Sequence, residues 1–463
     1  MFNYFNFKEF RNGYLITNDL GEYQYLSPQQ FQCFLKDDFI DFPELKKVLE
    51  DKGFVYYDSA LNFSWRVRYR IQRNKSYIFK STQLHIFVVT TACNHNCVYC
   101  QAQNGYNVPN GLMSRETALK AVDTALSSPG NSIDFEFQGG EPLINFDVIR
   151  FIVEYTESRK ADKKINYSIV TNLTLLTDEM EEFILEHKIG LSTSLDGGHF
   201  LHNNNRPLRS GEDAYDLITQ RIIKLKNKGI VSGALLTVTK STLTRHKEIV
   251  DAYVACGLHT ISLRPLTPLG CADKNWSRIG YNPEEFISFY CKALDYIIEI
   301  NKSGYKLSES MARIFLIKIL DHEGLNYMEL RSPCGAAIGQ IAYYYDGEVY
   351  TCDEGRMLAE MGNPIFRLGS LESDDYNALM EAGACRNTCS ASILEAVPSC
   401  SDCIYQPYCG TCPVVTYALE QDLYEKMPGG YKCRINQGIL DKLFSIIIED
   451  DNELMKIIYS WIE

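Results

Sequence analysis

Three cysteines, Cys93, Cys97 and Cys100, stand at C-x3-C-x2-C spacing in the stretch CNHNCVYC. Thiolates are ligands for soft metals, and their number is informative. A structural zinc ion closes its tetrahedron with four protein ligands. Three thiolates on a cubane iron–sulfur cluster satisfy three irons and leave the fourth open to a small molecule. The competing reading is three reduced thiols packed in a core, as free cysteines often are.

Nine of the sixteen cysteines fall from Cys334 onward. Cys334, Gly347 and Cys352 form a C-x12-G-x4-C pattern. Cys400-x2-Cys403-x5-Cys409-x2-Cys412 follows, and then Cys433. A zinc ribbon is the alternative here, but it wants two C-x2-C pairs well separated, and five residues between them is tight. Gly139-Gly140-Glu141-Pro142 offers different chemistry. Its glycines let a backbone come close to a ligand, and its carboxylate can hold an ammonium.

These residues need a frame. From Leu84 to Leu266 strand and helix patterns alternate. The strand runs are LHIFVVT, SIDFEFQ, INYSIVT, GLSTSL, VSGALLTV and HTISLRPL, and five amphipathic helical patterns lie between them. Ser114 and Thr177 stand as N-caps. Six such units predict an α/β fold, a parallel sheet curled into a partial barrel whose site lies at the strand C-termini. The cysteine loop follows the first strand and Gly139–Pro142 the second. Thr171-Asn172, Ser194-Leu195-Asp196 and Arg264 follow the third, fourth and sixth.

The CxxxCxΦC loop, with Tyr99 at the aromatic position, and the GGEP motif resemble those of radical S-adenosylmethionine (SAM) enzymes. The resemblance implies a partial (β/α)6 barrel in which Cys93, Cys97 and Cys100 hold a [4Fe–4S] cluster. The open iron would chelate SAM, whose reductive cleavage yields a 5′-deoxyadenosyl radical. Carried over, Tyr99, Gly139, Gly140, Glu141, Asn172, Ser194, Asp196 and Arg264 would form the SAM site. Asp196 could equally cap its Asp-Gly turn, and Arg264 could pair with a structural acid.

The cysteine-rich tail resembles the SPASM extension of that family, which binds two auxiliary [4Fe–4S] clusters. Cys400, Cys403, Cys409 and Cys433 would then hold an outer cluster, and Cys334, Cys352 and Cys412 an inner one. Cys385 or Cys389 would complete the inner set, unless it stays open to substrate. The spacing before Cys412 is x2 where the family usually has x3, which puts its role in question. Cys33, Cys256, Cys271 and Cys291 read as packed thiols.

Residues 1–80 read as a small winged-helix-like module. YLITNDLGEYQYLS is a hairpin, Ser27-Pro28 starts a helix, and Gly53 ends a second one. The order resembles the peptide-clamp (RiPP recognition element) domain of peptide maturases, which binds a leader peptide as an added strand. A plain packing domain is the alternative. The expected division is 1–80 clamp, 81–325 barrel, 326–440 SPASM and 441–463 a terminal helix. The resemblance implies a maturase of ribosomally made peptides, most like those of His-Xaa-Ser systems, fed electrons by a flavodoxin or ferredoxin type donor. A sulfatase-maturating type and a non-catalytic iron–sulfur or zinc protein are the other classes.

Composition bounds the rest. A net charge of −13 and pI near 5.2 argue against nucleic acid, and favour a basic or neutral leader. No apolar run of membrane-spanning length is present. Many cysteines without an export signal point to a reducing cytoplasm.

Overall fold

A computed structural model describes residues 2–56, 60–102, 111–231, 233–325, 327–424 and 428–463. The chain opens with an antiparallel sheet of β1 (Asn6–Phe10), β2 (Gly13–Thr17) and β3 (Tyr23–Leu26), in that order. The β2–β3 hairpin turns where expected. The Asn18 side chain accepts from the Leu20 and Glu22 amides, and Gly21 takes a positive φ of 77°. β1, which the sequence reading omits, reaches β2 through a two-residue turn with Arg11 at φ 50°.

Ser27 caps helix Pro28–Lys36 in a full capping box with Gln30. Helix Pro43–Asp51 follows and stops before Gly53. A third helix, Ala60–Asn74, was not anticipated. Ile16, Leu26, Phe34, Leu49 and Phe54 form the module's core.

The barrel has its six expected parallel strands. They are β4 (Leu84–Thr90), β5 (Ser132–Gly139), β6 (Lys164–Val170), β7 (Gly190–Ser192), β8 (Gly233–Thr237) and β9 (Thr260–Arg264). The five expected helices lie between them, capped by Ser114 and Thr177. β4 to β7 pair in order, as do β8 and β9. The two runs meet at a single bridge, Ser194 with Leu235. A two-residue β10 (Ser308–Glu309) adds to β9.

The other edge holds a feature that sequence did not disclose. β11 (Gln340–Tyr343) pairs in parallel with β4, placing Ile341 against His85. β12 (Glu348–Tyr350) returns through the expected Asp346-Gly347 turn, and β13 (Arg367–Ser370) follows. The tail therefore continues the barrel's sheet, across the division expected at residue 325. The expected boundary at 440 also needs correction. It falls inside helix Tyr431–Glu449, whose first turn carries Cys433 and whose later turns pack on helix Pro283–Lys302. The chain ends in helix Asn452–Ile462. Among the described residues no helix is long and apolar enough to cross a membrane.

Candidate active site

The cysteine loop leaves the C-terminal end of β4 and is pinned on both flanks. His95 bridges to Leu208, the Asn96 amide donates to Pro207 O at 2.9 Å, and the Val98 amide donates to Asn205 O at 2.9 Å. On the other flank Asn275 donates to Val98 O, and the Cys271 amide donates to Cys100 O at 2.8 Å. Cys271, expected to stand alone, is thus a neighbour of the loop. Burial pushes the Cys93 thiol up to about 11 and Cys97 up to about 12, and Cys100 higher still, partly through the other two sulfurs. Three adjacent half-buried thiols that line one cavity give a donor set that fits a cluster with one open iron.

The two glycines after β5 serve the loop itself. A Cβ on Gly139 would lie 2.1 Å from Thr90 O, and one on Gly140 2.3 Å from Ala92 O. Both glycines thus allow a close approach of the chain's own backbone, and Gly140 also lines the cavity. Glu141 is 1% exposed and accepts from the Leu143 amide (3.1 Å), the Thr171 hydroxyl (2.7 Å) and the Asn172 amide (2.8 Å). Burial raises its carboxyl to about 7, against the lowering effect of those bonds. Glu141 thus ties the end of β5 to the end of β6. Asn172 in turn donates its side chain to Asn94 in the cysteine loop at 3.0 Å.

Asp196 needs correction as a SAM contact. Its buried carboxylate lies behind the site wall, paired with Arg206 at 3.1 Å, bonded to the Tyr99 hydroxyl and close to the Thr237 amide. The Arg206 guanidinium also sits 5.2 Å from the centre of the Tyr99 ring. Tyr99, Asp196 and Arg206 form one brace between the cysteine loop and the end of β7. Arg206 lies in the segment NNNRPL, whose only sequence signal is one arginine among turn formers, and the reading missed it.

Ser194, Arg206, Thr237 and Arg264 do line a cavity of about 590 Å³ together with Cys93, Cys97 and Cys100. Cys334, Cys352 and Cys412 line the same chamber. Those three thiols are buried in one small apolar cluster with Leu358, Phe366 and Val414. Arg264 donates to the Tyr327 hydroxyl at 3.2 Å and lies 3.8 Å from Glu329, which pairs with Lys432. Asp353 is engaged by Arg356, while Glu354 faces the chamber with its carboxyl raised by burial and by Glu329 and Asp353.

Cys400, Cys403, Cys409 and Cys433 line a second cavity of about 380 Å³. Cys385 and Cys389, one turn apart on helix Gly383–Ser390, are free thiols that share a hydrogen bond. The charge of Cys334 is felt at Cys389, but neither thiol of the pair lines the chamber.

A parallel barrel whose strand ends converge on a three-cysteine loop defines a class, and the comparisons agree. The model of the radical SAM superfamily matches residues 87–253. An uncharacterized Methanocaldococcus jannaschii protein, MJ0907, is 35% identical over 215 residues, 46% of this chain and 72% of that one. The solved structure of native anSMEcpe with bound AdoMet and Cp18Cys peptide aligns with a TM-score of 0.68 at 21% identity, over 82% of this chain and 99% of that one. Streptococcus suis SuiB bound to precursor peptide SuiA aligns at 0.54 with 16% identity, over 91% and 96%. The chain belongs to the radical SAM superfamily and is an enzyme of that class, with a [4Fe–4S] cluster and SAM as its cofactors.

Proposed function

We propose that this enzyme modifies a ribosomally made peptide in the cytoplasm by hydrogen abstraction from carbon. Cys93, Cys97 and Cys100 hold the SAM-binding cluster, with Ser194, Asn172 and Arg264 turned toward SAM and Glu141 ordering that wall. Cys400, Cys403, Cys409 and Cys433 hold an outer auxiliary cluster. Cys334, Cys352 and Cys412 hold an inner one, left open on the chamber side. When bound, the barrel cluster supplies the electron that cleaves SAM to its radical. The chain's own part is to orient and to exclude water. The expected division near residues 80 and 325 separates clamp, barrel and tail by role.

The observation that carries this reading is the shared chamber. The radical-generating loop and the three inner cysteines line one cavity, so a peptide bound there lies between the two. Glu354, unlike the ion-paired Asp353, is placed to take a proton from it. A flavodoxin or ferredoxin type donor feeds the barrel cluster. Support for a peptide comes from the bound peptides of the two aligned structures.

β3 is one edge of the N-terminal sheet, β1 being the other, and it is the place for a leader strand. Lys52 donates to Tyr23 O at 2.7 Å beside this edge, while Arg70 and Arg73 of helix Ala60–Asn74 are paired with Glu22 and Glu323. The test is anaerobic reconstitution with iron and sulfide analysis, then incubation with SAM, a reductant and any short peptide that a neighbouring open reading frame encodes. About twelve irons per chain and a mass change in the peptide are expected. Four irons, or zinc in the tail, would refute the auxiliary clusters. A peptide left unchanged while 5′-deoxyadenosine accumulates would refute the substrate.

A further inference from the structure

The turn between the two C-x2-C pairs, residues 403–409, is held from outside the tail. Thr17, fully buried at the end of β2, donates its hydroxyl to Ile404 O at 2.7 Å. Asn6 on β1 reaches Cys403 O at 3.4 Å, and the Tyr4 hydroxyl reaches Asp402 at 2.9 Å. In the opposite sense the Tyr408 hydroxyl donates to Gly21 O in the β2–β3 turn at 2.9 Å. From the barrel side Lys318, in the helical turn Ile317–Asp321, donates to Leu330 O at 2.5 Å and to Tyr408 O, and lies 3.4 Å from Cys409 O. The turn's own amides serve Cys403 O and Tyr405 O, but the donors to Ile404 O and Tyr408 O come from two other parts of the chain. Groups that fix ligand-bearing backbone also fix ligand geometry, and their loss commonly costs ten- to a hundredfold in metal affinity.

We propose that the N-terminal sheet is a positioning element of the outer four-cysteine site. Thr17 and Lys318 set the 403–409 turn, and with it the retention and redox potential of the outer cluster. The module is then more than an appended clamp: it backs the turn that carries Cys403 and Cys409. The inference rests on the reading that Cys400, Cys403, Cys409 and Cys433 hold a cluster.

The test uses full-length protein carrying Thr17→Val or Lys318→Met, with Thr17→Ser as the conservative variant that keeps the hydroxyl. Iron release to a ferrous chelator is followed together with an EPR-monitored redox titration. Both disruptive variants should lose about four irons roughly tenfold faster than wild type, with one midpoint potential shifted. The other two clusters and peptide-independent SAM cleavage should stay as in wild type, and Thr17→Ser should behave as wild type. Unchanged release and potentials in both disruptive variants would overturn the proposal, as would parallel loss of all three clusters, which marks general unfolding. If wild type itself binds only about eight irons, the cluster assignment fails and not the positioning argument alone.

Discussion

Asp196→Asn separates a brace from a ligand contact. The substitution keeps the shape of the side chain but removes the charge that neutralises Arg206. That ion pair is 3.1 Å long, with the two side chains 0% and 13% exposed, so water cannot replace the lost partner. Breaking a buried pair on one side costs about 3–5 kcal/mol, because the remaining charge stays buried and uncompensated. At 1.4 kcal/mol per factor of ten, amide hydrogen exchange in segments 94–100 and 195–208 should quicken by roughly two to four powers of ten. Both segments should respond, since Tyr99 and Arg206 lie on either side of Asp196. Adding Arg206→Met removes the orphaned cation, and the double variant should recover all but about 1–2 kcal/mol. Hydrogen exchange read by mass spectrometry on all three proteins measures the cycle. A single variant that exchanges like wild type would refute the brace. A double variant no better than the single one would refute the coupling of Asp196 to Arg206.

Two more outcomes follow from the site. Replacing Cys93, Cys97 and Cys100 together by Ala should abolish 5′-deoxyadenosine formation under a strong reductant while about eight irons remain in the tail; continued SAM cleavage would refute the loop's role. His85, His95 and His202 are buried and held neutral, with values near 3, 4 and 3 against an ordinary 6.5, mainly by burial. A depressed histidine stabilises the fold above pH 6.5 and loses that contribution as pH falls toward its folded value. At pH 5.5 the three together should therefore cost about 4 kcal/mol relative to pH 8, and His202→Asn should remove about a third of the slope in urea unfolding across that range. A pH slope left unchanged by His202→Asn would contradict its buried neutral state.

The sequence by itself determined the local features. Period-two runs and capped amphipathic helices located all six barrel strands and five barrel helices. Asn18–Gly21, Ser27-Pro28 and Asp346-Gly347 were legible because a turn or cap is decided within four or five residues. Cysteine spacing grouped the thiols for a similar reason: ligands within one loop converge through local geometry. β1 and helix Ala60–Asn74 were missed because their stability comes from packing in the module, not from a strong local pattern.

Only the tertiary structure decided what lies beside what. Pairing of β11 with β4 joins segments some 250 residues apart and brings Cys352 to the same chamber as Cys93. No local preference encodes such a contact; it follows from an unpaired strand edge and the hydrophobic surface it buries. Arg206 was invisible for the same reason, since its partners Asp196 and Tyr99 come from β7's end and the cysteine loop. Glu141 and Asp196 show the limit most plainly. Sequence marks both as carboxylates beside a cofactor site, yet what each does depends on which buried donors surround it. Here Thr171, Asn172 and Leu143 engage one, and Arg206 and Tyr99 the other.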